Sequence, residues 1–241
     1  MQFLKKFLSI ILALTLSSLP VLAISSKKLS KLQQQQHKAM HEIVMVERDA
    51  SGDIVSAGLC TAYAVGPHTL MTAEHCNSAD TDDIYVDPVS REAIHSGEVH
   101  PFPIISRQFD HEDHMLVDIK GINFKDAIYL GPSVRLPIQG EHTYEWGCPA
   151  GIRDQYREGL VTGTMPIAGI NMGEGEDKVD ATGPNLYIVQ TTVVGGDSGS
   201  AVFSANDGQL IGVVTFGIDN GALMGMFPIT FTGSQIEASM K

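Results

Sequence analysis

The chain has 241 residues, 16 Lys and Arg against 28 Asp and Glu, and a formal net charge of -12. With 43% hydrophobic residues it is long enough to bury a sizeable core in one or two domains. No basic patch is visible, which argues against a nucleic-acid partner. No Cys-x-x-Cys or four closely spaced ligands suit zinc, so neither a metal nor another cofactor is expected.

Residues 1–23, MQFLKKFLSIILALTLSSLPVLA, carry Lys5 and Lys6 ahead of an apolar run from Phe7 to Leu16. Pro20 follows, and Val21 and Ala23 fit the small-x-small rule before a cut, so the segment reads as a secretory signal removed after Ala23. The run from Phe7 to Ala23, interrupted by serines, a threonine and a proline, is shorter than the about 20 apolar residues of a spanning helix. No other stretch is apolar enough to span. The expectation is a secreted or periplasmic protein with no stable membrane span after signal removal. Loss of the two lysines moves the formal charge from -12 to -14.

Residues 24–40, polar with a glutamine run, read as a flexible leader whose KKLSKL could start a short helix. After His41 short β-rich runs follow one another: IVMVE, VSAGLCTAYAV, HTLMTA, DIYVD, MLVDIKG, HTYEWGC, LVTGTMPI, LYIVQTTV, SAVFSA, QLIGVVTFGI and MFPITFT. Turn signals separate them, and Asn206-Asp207-Gly208 reads as a hairpin turn. Only the closing SQIEASMK suits a short helix. Many strands without βαβ alternation predict an all-β fold of sandwich or barrel type. Gly and Pro cluster between Leu130 and Glu141, which divides the chain into two halves: residues 41–132 and 141–232, joined by a linker over 133–140 and followed by a helix or tail over 233–241.

Cys60 and Cys76 stand at opposite ends of an apparent hairpin and are the natural disulfide pair in an exported chain. Cys148 is left as a buried free thiol. The acidic run Asp80–Asp83 lacks the regular oxygen spacing of a calcium loop, and His111–His114 reads as a charged loop.

The stretch VVGGDSGSAVF, Val193–Phe203, places Ser198 inside Gly-Gly-Asp-Ser-Gly ahead of a strand. LMTAEHC presents His75 at a strand end, and DHMLVDIKG places Asp113 just before an apolar strand. The chain order His75, Asp113, Ser198 is one known for acyl-transfer triads. A serine hydroxyl needs a base, imidazole titrates near neutrality, and a buried carboxylate holds the ring in the right tautomer. Gly196 and Ser198 would supply the oxyanion N–H groups, with glycine at 196 allowing the dihedral that aims one inward. Asp110 and Asp118 are nearby alternatives to Asp113.

Taken together, TAEHC, DHMLVDI and GGDSGS resemble three boxes of the trypsin/chymotrypsin family of serine peptidases, in its bacterial secreted style, across residues 43–232. The resemblance implies two antiparallel β-barrels with a short C-terminal helix. It implies endopeptidase activity on protein or peptide substrates through an acyl-enzyme, and a histidine-loop disulfide between Cys60 and Cys76. It also implies a specificity pocket based on Thr192 and walled by Val193, Val194 and the strand Val214, Thr215, Phe216, Gly217. No acid lies at that base, Val214 replaces the histidine of glutamate-specific relatives, and Gly217 and Gly225 leave the pocket open. Cleavage after medium or large apolar residues is therefore expected.

Departures are visible. Glu74 stands where the family has a small residue, which adds a carboxylate beside His75. Val194 replaces a cysteine. No activation site of the family type precedes the first strand, so Asp197, which pairs with a new N-terminal ammonium in family zymogens, has no identified partner. The alternative functions are an inactive homologue that binds protein through the same cleft, disfavoured by the intact set of boxes, and a high-temperature-requirement type chaperone-protease, whose added domain is not expected in the roughly ten residues after the last strand.

Overall fold

The computed structural model describes residues 30–77, 83–88, 90–110, 112–128, 130–131, 135–165 and 186–241. The signal over 1–23, the start of the leader, Asp80–Asp82, His111 and part of the expected linker lie outside the described residues.

Helix α1 spans 30–38. There follow β1 (Met40–Arg48), β2 (Ile54–Ala64), β3 (Thr69–Ala73), a 3-10 turn (Glu74–Cys76), β4 (Asp83–Val86), α2 (Arg91–Ser96), β5 (Phe102–Phe109) and β6 (His114–Ile119). The second half holds β7 (His142–Gly147), a 3-10 turn (Pro149–Gly151), β8 (Gln155–Met165), β9 (Leu186–Gln190), β10 (Ala201–Ser204), β11 (Leu210–Ile218), β12 (Leu223–Phe227) and α3 (Gly233–Ser239). The strands close two antiparallel barrels, in the orders β1-β2-β3-β6-β5-β4 and β10-β11-β12-β9-β8-β7. The two barrels and the C-terminal helix read from the sequence are both present.

Alternation along the strands sends one set of side chains inward. Ile43, Met45, Ala62, Leu70, Met115, Val117 and Ile119 fill the first barrel. Val161, Val189, Val202, Ile211, Val214 and Met226 fill the second. A third cluster joins them: Tyr63, Met71 and Leu116 from the first barrel pack with Tyr144, Trp146, Phe203 and Val213 from the second. Within it Tyr63 donates its hydroxyl to the Trp146 carbonyl at 2.8 Å, so its one polar atom is satisfied where it is buried. The site between the barrels is therefore framed by a packed apolar seam.

Three details depart from the sequence reading. Strand β5 was not anticipated, because Pro103 and a half-exposed pattern hide it; it pairs with both β4 and β6. The run 226–232 is strand only to Phe227; beyond Pro228 the chain turns back, burying Ile229 and Phe231. The leader is packed over its described part. Gln36 on α1 is buried, donating to the Gly208 carbonyl at 2.7 Å and accepting from the Tyr144 hydroxyl at 2.7 Å. His37 stacks on Trp146 with ring centroids 5.4 Å apart. The expectation of a flexible leader fails there because these polar groups find partners on the second barrel.

Candidate active site

Strand β3 ends at Ala73 and the 3-10 turn swings His75 toward the seam. The Cys60–Cys76 disulfide ties that turn to β2. Asp113 immediately precedes β6 and adopts φ 63, a left-handed conformation that Asp tolerates better than most residues. Its carbonyl accepts the Glu74 N–H at 3.0 Å, so the two chain segments are sewn together before any side chain is counted.

The Asp113 side chain is wholly buried and that of His75 is 30% exposed. Asp113 Oδ2 lies 2.8 Å from His75 Nδ1, and Oδ1 accepts the His75 backbone N–H at 2.9 Å. On the other side of the ring, Nε2 lies 2.8 Å from Ser198 Oγ. A carboxylate facing Nδ1 places the proton there, which leaves Nε2 as an acceptor for the serine hydroxyl. The arrangement can draw a proton from Ser198 while a buried negative charge stabilises the resulting imidazolium.

The alternative acids are engaged elsewhere. Asp110 Oδ1 accepts the N–H groups of Glu112 and His114 at 2.9 and 3.1 Å, and Oδ2 holds His114 Nδ1 at 2.6 Å and the Thr230 N–H at 3.0 Å. Burial alone would raise its pKa, but these bonds prevail and hold it below the ordinary value. Asp118 is bonded by the hydroxyls of Thr69 and Ser106. Burial, with the charges of Asp113 and Asp110 adding to it, pushes the Glu74 carboxyl above its usual range.

Gly196 has φ 101. The Gly195 carbonyl accepts the Ala150 N–H at 2.7 Å, so the Gly196 N–H, on the opposite side of the same planar peptide, points away from Ala150. Among the described residues no hydrogen bond takes up the N–H of Gly196 or of Ser198. Both donors remain available to a developing oxyanion.

Asp197 has a partner after all, and it is Arg157 of β8. Arg157 Nη1 reaches Asp197 Oδ2 at 2.6 Å, Nη2 bonds Oδ1, and the Val194 N–H adds a bond to Oδ2 at 2.8 Å. Glu145 lies opposite Arg157 in the β7–β8 ladder, with Oε1 3.1 Å from Nε. Burial pushes Glu145 up to about 8, against the pull of Arg157 and with the help of Asp197. Burial likewise raises the Cys148 thiol to about 12, and the residue is a buried free cysteine. Two of these residues escaped the sequence reading. The signal for them was a Glu and an Arg at facing positions of adjacent strands.

The expected pocket is tighter than its glycines suggested. Thr192, expected at the base, is exposed, and Val193 is buried instead. A Cβ placed on Gly217 would lie 3.0 Å from Val193 Cγ1, and one on Gly225 would lie 3.0 Å from the tip of the Phe216 ring. Both glycines are thus already covered by neighbouring side chains. Val214 is buried in the second barrel, and Ser198 Oγ is 3.4 Å from the Thr215 carbonyl. The ladder of β11 with β10 reaches only to Val213, so among the described residues no strand pairs with Thr215–Gly217 on the edge opposite β12.

Among the described residues no group of three or more His, Cys, Asp or Glu side chains could hold a metal ion, and no helix is long and apolar enough to cross a membrane.

A family model described as a trypsin-like peptidase domain matches residues 60–213. No curated protein matches the sequence. Among solved structures, the active form of the Rv3671c protease from M. tuberculosis aligns with a TM-score of 0.57 at 16% identity, covering 86% of this chain and 82% of that one. Its inactive form gives 0.57 at 16% identity, covering 87% and 90%. The HtrA-type protease AlgW, solved with a tripeptide, gives 0.58 at 19% identity over 83% of this chain and 59% of that one. At such identities the likeness is one of fold.

Proposed function

The chain belongs to the trypsin-like peptidase domain family and is a serine endopeptidase; from that premise we propose that Ser198 is its nucleophile, His75 its general base and Asp113 the acid that orients the base. The observation that carries this reading is the unbroken chain of 2.8 Å contacts from Asp113 through His75 to Ser198. Ser198 Oγ attacks the substrate carbonyl, passing its proton to His75 Nε2. The oxyanion is met by the N–H groups of Gly196 and Ser198. His75 then returns the proton to the leaving amine, and water repeats the sequence on the acyl-enzyme.

The substrate backbone pairs with the free edge of β11 at Thr215, Phe216 and Gly217. The residue before the cut enters beside Val193, Val194 and Val214, where no described charged side chain offers compensation and Thr192 stands at the rim. With Val193 against Gly217, small apolar residues such as Val and Ala are favoured over Phe and Tyr. The Cys60–Cys76 disulfide suits an oxidising compartment, and with a signal over 1–23 it supports a secreted or periplasmic location. Fluorophosphonate labelling tests the assignment. Adduct mapped to Ser198 in the wild type, and lost in Ser198→Ala, is the expected result; an unlabelled wild type would leave the inactive-homologue alternative standing.

A further inference from the structure

The backbone at Gly196 and Ser198 is held from the opposite barrel by one residue, through its side chain and its backbone N–H, and we propose that this residue, Thr61, is a positioning residue for the oxyanion hole. The proposal rests on the peptidase reading above. Thr61 lies on β2, directly after Cys60, and is wholly buried. Its Oγ1 donates to the Gly196 carbonyl at 2.8 Å and accepts the Cys148 N–H at 2.9 Å. Its backbone N–H donates to the Ser198 carbonyl at 2.9 Å, and its own carbonyl accepts the Thr72 hydroxyl at 2.8 Å.

The carbonyls on either side of Asp197 are therefore both anchored to one residue of the first barrel. Each peptide unit is planar, so a bond to the Gly196 carbonyl fixes the plane that follows Gly196. The Ala150 N–H on the Gly195 carbonyl fixes the plane that precedes it. The Gly196 N–H lies in the preceding plane, and the Thr61 bond fixes the plane on the other side of the Gly196 Cα, so the φ and ψ of Gly196 are held between two anchored peptides. The fit leaves no slack. A Cβ on Gly196 would fall 2.4 Å from the Cys148 carbonyl oxygen, and one on Gly199 would fall 2.1 Å from that of Thr61.

Any residue but proline at position 61 could supply the backbone bond to Ser198. The side-chain pair of bonds needs a group that donates and accepts at once, which a hydroxyl does and a methyl does not. Valine has the same shape as threonine but would leave the Gly196 carbonyl and the buried Cys148 N–H unpaired. A merely structural role would cost stability and spare the turnover of the folded enzyme. A positioning role costs transition-state stabilisation while substrate binding holds.

The test compares wild type, Thr61→Val and Thr61→Ser. It measures kcat and KM on a peptide substrate, and the affinities for a peptide boronate, which becomes tetrahedral on Ser198, and for an unreactive product peptide. Thr61→Val is expected to lower kcat per folded enzyme by about 10²-fold, with KM moving less than about twofold. Boronate affinity falls with kcat while product affinity stays, and Thr61→Ser restores both. Should Thr61→Val fail to fold, Thr61→Ala takes its place under the same criteria. Unchanged kcat in the folded variant, an equal loss of product affinity, or Thr61→Ser as poor as Thr61→Val would overturn the proposal and leave the peptidase reading intact. An inert, unlabelled wild type overturns both.

Discussion

Replacing Arg157 by Met removes the only cation that, among the described residues, touches the buried carboxylate of Asp197. That carboxylate has no exposed side-chain surface, and Arg157 meets both of its oxygens. Breaking a buried pair from one side typically costs about 3–5 kcal/mol. Glu145, raised to about 8, is held protonated near neutrality, so only one charge is orphaned, and the Val194 N–H still serves it. The lower end, about 3 kcal/mol, is therefore expected, which for a chain of this size lowers the unfolding midpoint by roughly 6–12 °C. Asp197 also closes the turn before the nucleophile, its N–H on the Val194 carbonyl and its carbonyl on the Ser200 N–H. Loosening that turn should cost catalysis up to about 10²-fold in kcat, within the range for a misplaced oxyanion donor. Thermal unfolding and steady-state kinetics on folded protein read both effects. Adding Asp197→Asn should recover part of the stability, because it removes the orphaned charge, so the two losses should not add. The same geometry predicts activity without a new N-terminus, since Arg157 occupies the place an ammonium would take. Wild-type activity and midpoint in Arg157→Met, or activity that appears only after cleavage in the leader, would refute the reasoning.

Further outcomes follow from single groups. Asp113→Asn should lower kcat by about 10⁴-fold through the wrong His75 tautomer, whereas Asp110→Asn should mainly lower the unfolding midpoint; the reverse pattern in kinetics would reassign the acid. The carboxyl of Glu145 titrates near 8 when folded and near about 4.3 when unfolded. Between those values the folded state holds the extra proton, so stability declines as pH rises and levels off above 8. Glu145→Gln should flatten that decline in unfolding midpoints taken from pH 5 to 9, and an unchanged slope would contradict it. Val193→Gly should widen the space beside Gly217 and shift cleavage of a peptide library toward Phe and Leu; an unaltered profile would move the pocket elsewhere.

The chemistry proposed here is carried by short, contiguous boxes, the part most legible in the sequence. His75, Asp113 and Ser198 each sit in a run whose neighbours have their own physical reasons: a strand end, a strand start, a turn of glycines. The disulfide was legible because Cys60 and Cys76 bracket one hairpin. Less visible were pairings between residues far apart in the chain. Arg157 and Asp197 are brought together only by the β7–β8 ladder and the turn before β10, and Thr61 meets Gly196 only because two barrels pack face to face. Reading Gly217 and Gly225 as open space failed for the same reason. A glycine states what its own residue lacks, and Val193 and Phe216, from other segments, decide what fills the gap.

The same logic explains why the proposed catalytic geometry depends on the seam between the barrels. The first barrel contributes His75, Asp113 and Thr61, and the second contributes Ser198 and Gly196, so a relative shift of one barrel would break the 2.8 Å contact of His75 with Ser198. One cross-link serves both sides of that contact: Cys76 follows the base and Cys60 precedes the residue that bonds the Ser198 carbonyl. The disulfide thus ties the segment of the proposed base to the segment that holds the serine backbone. The apolar cluster of Tyr63, Met71, Leu116, Tyr144 and Phe203 keeps the barrels in register around it. Close packing resists the sub-ångström slips that hydrogen bonds of this length do not tolerate. Stability across the seam and precision at the nucleophile are therefore one property of this fold, built from the same residues.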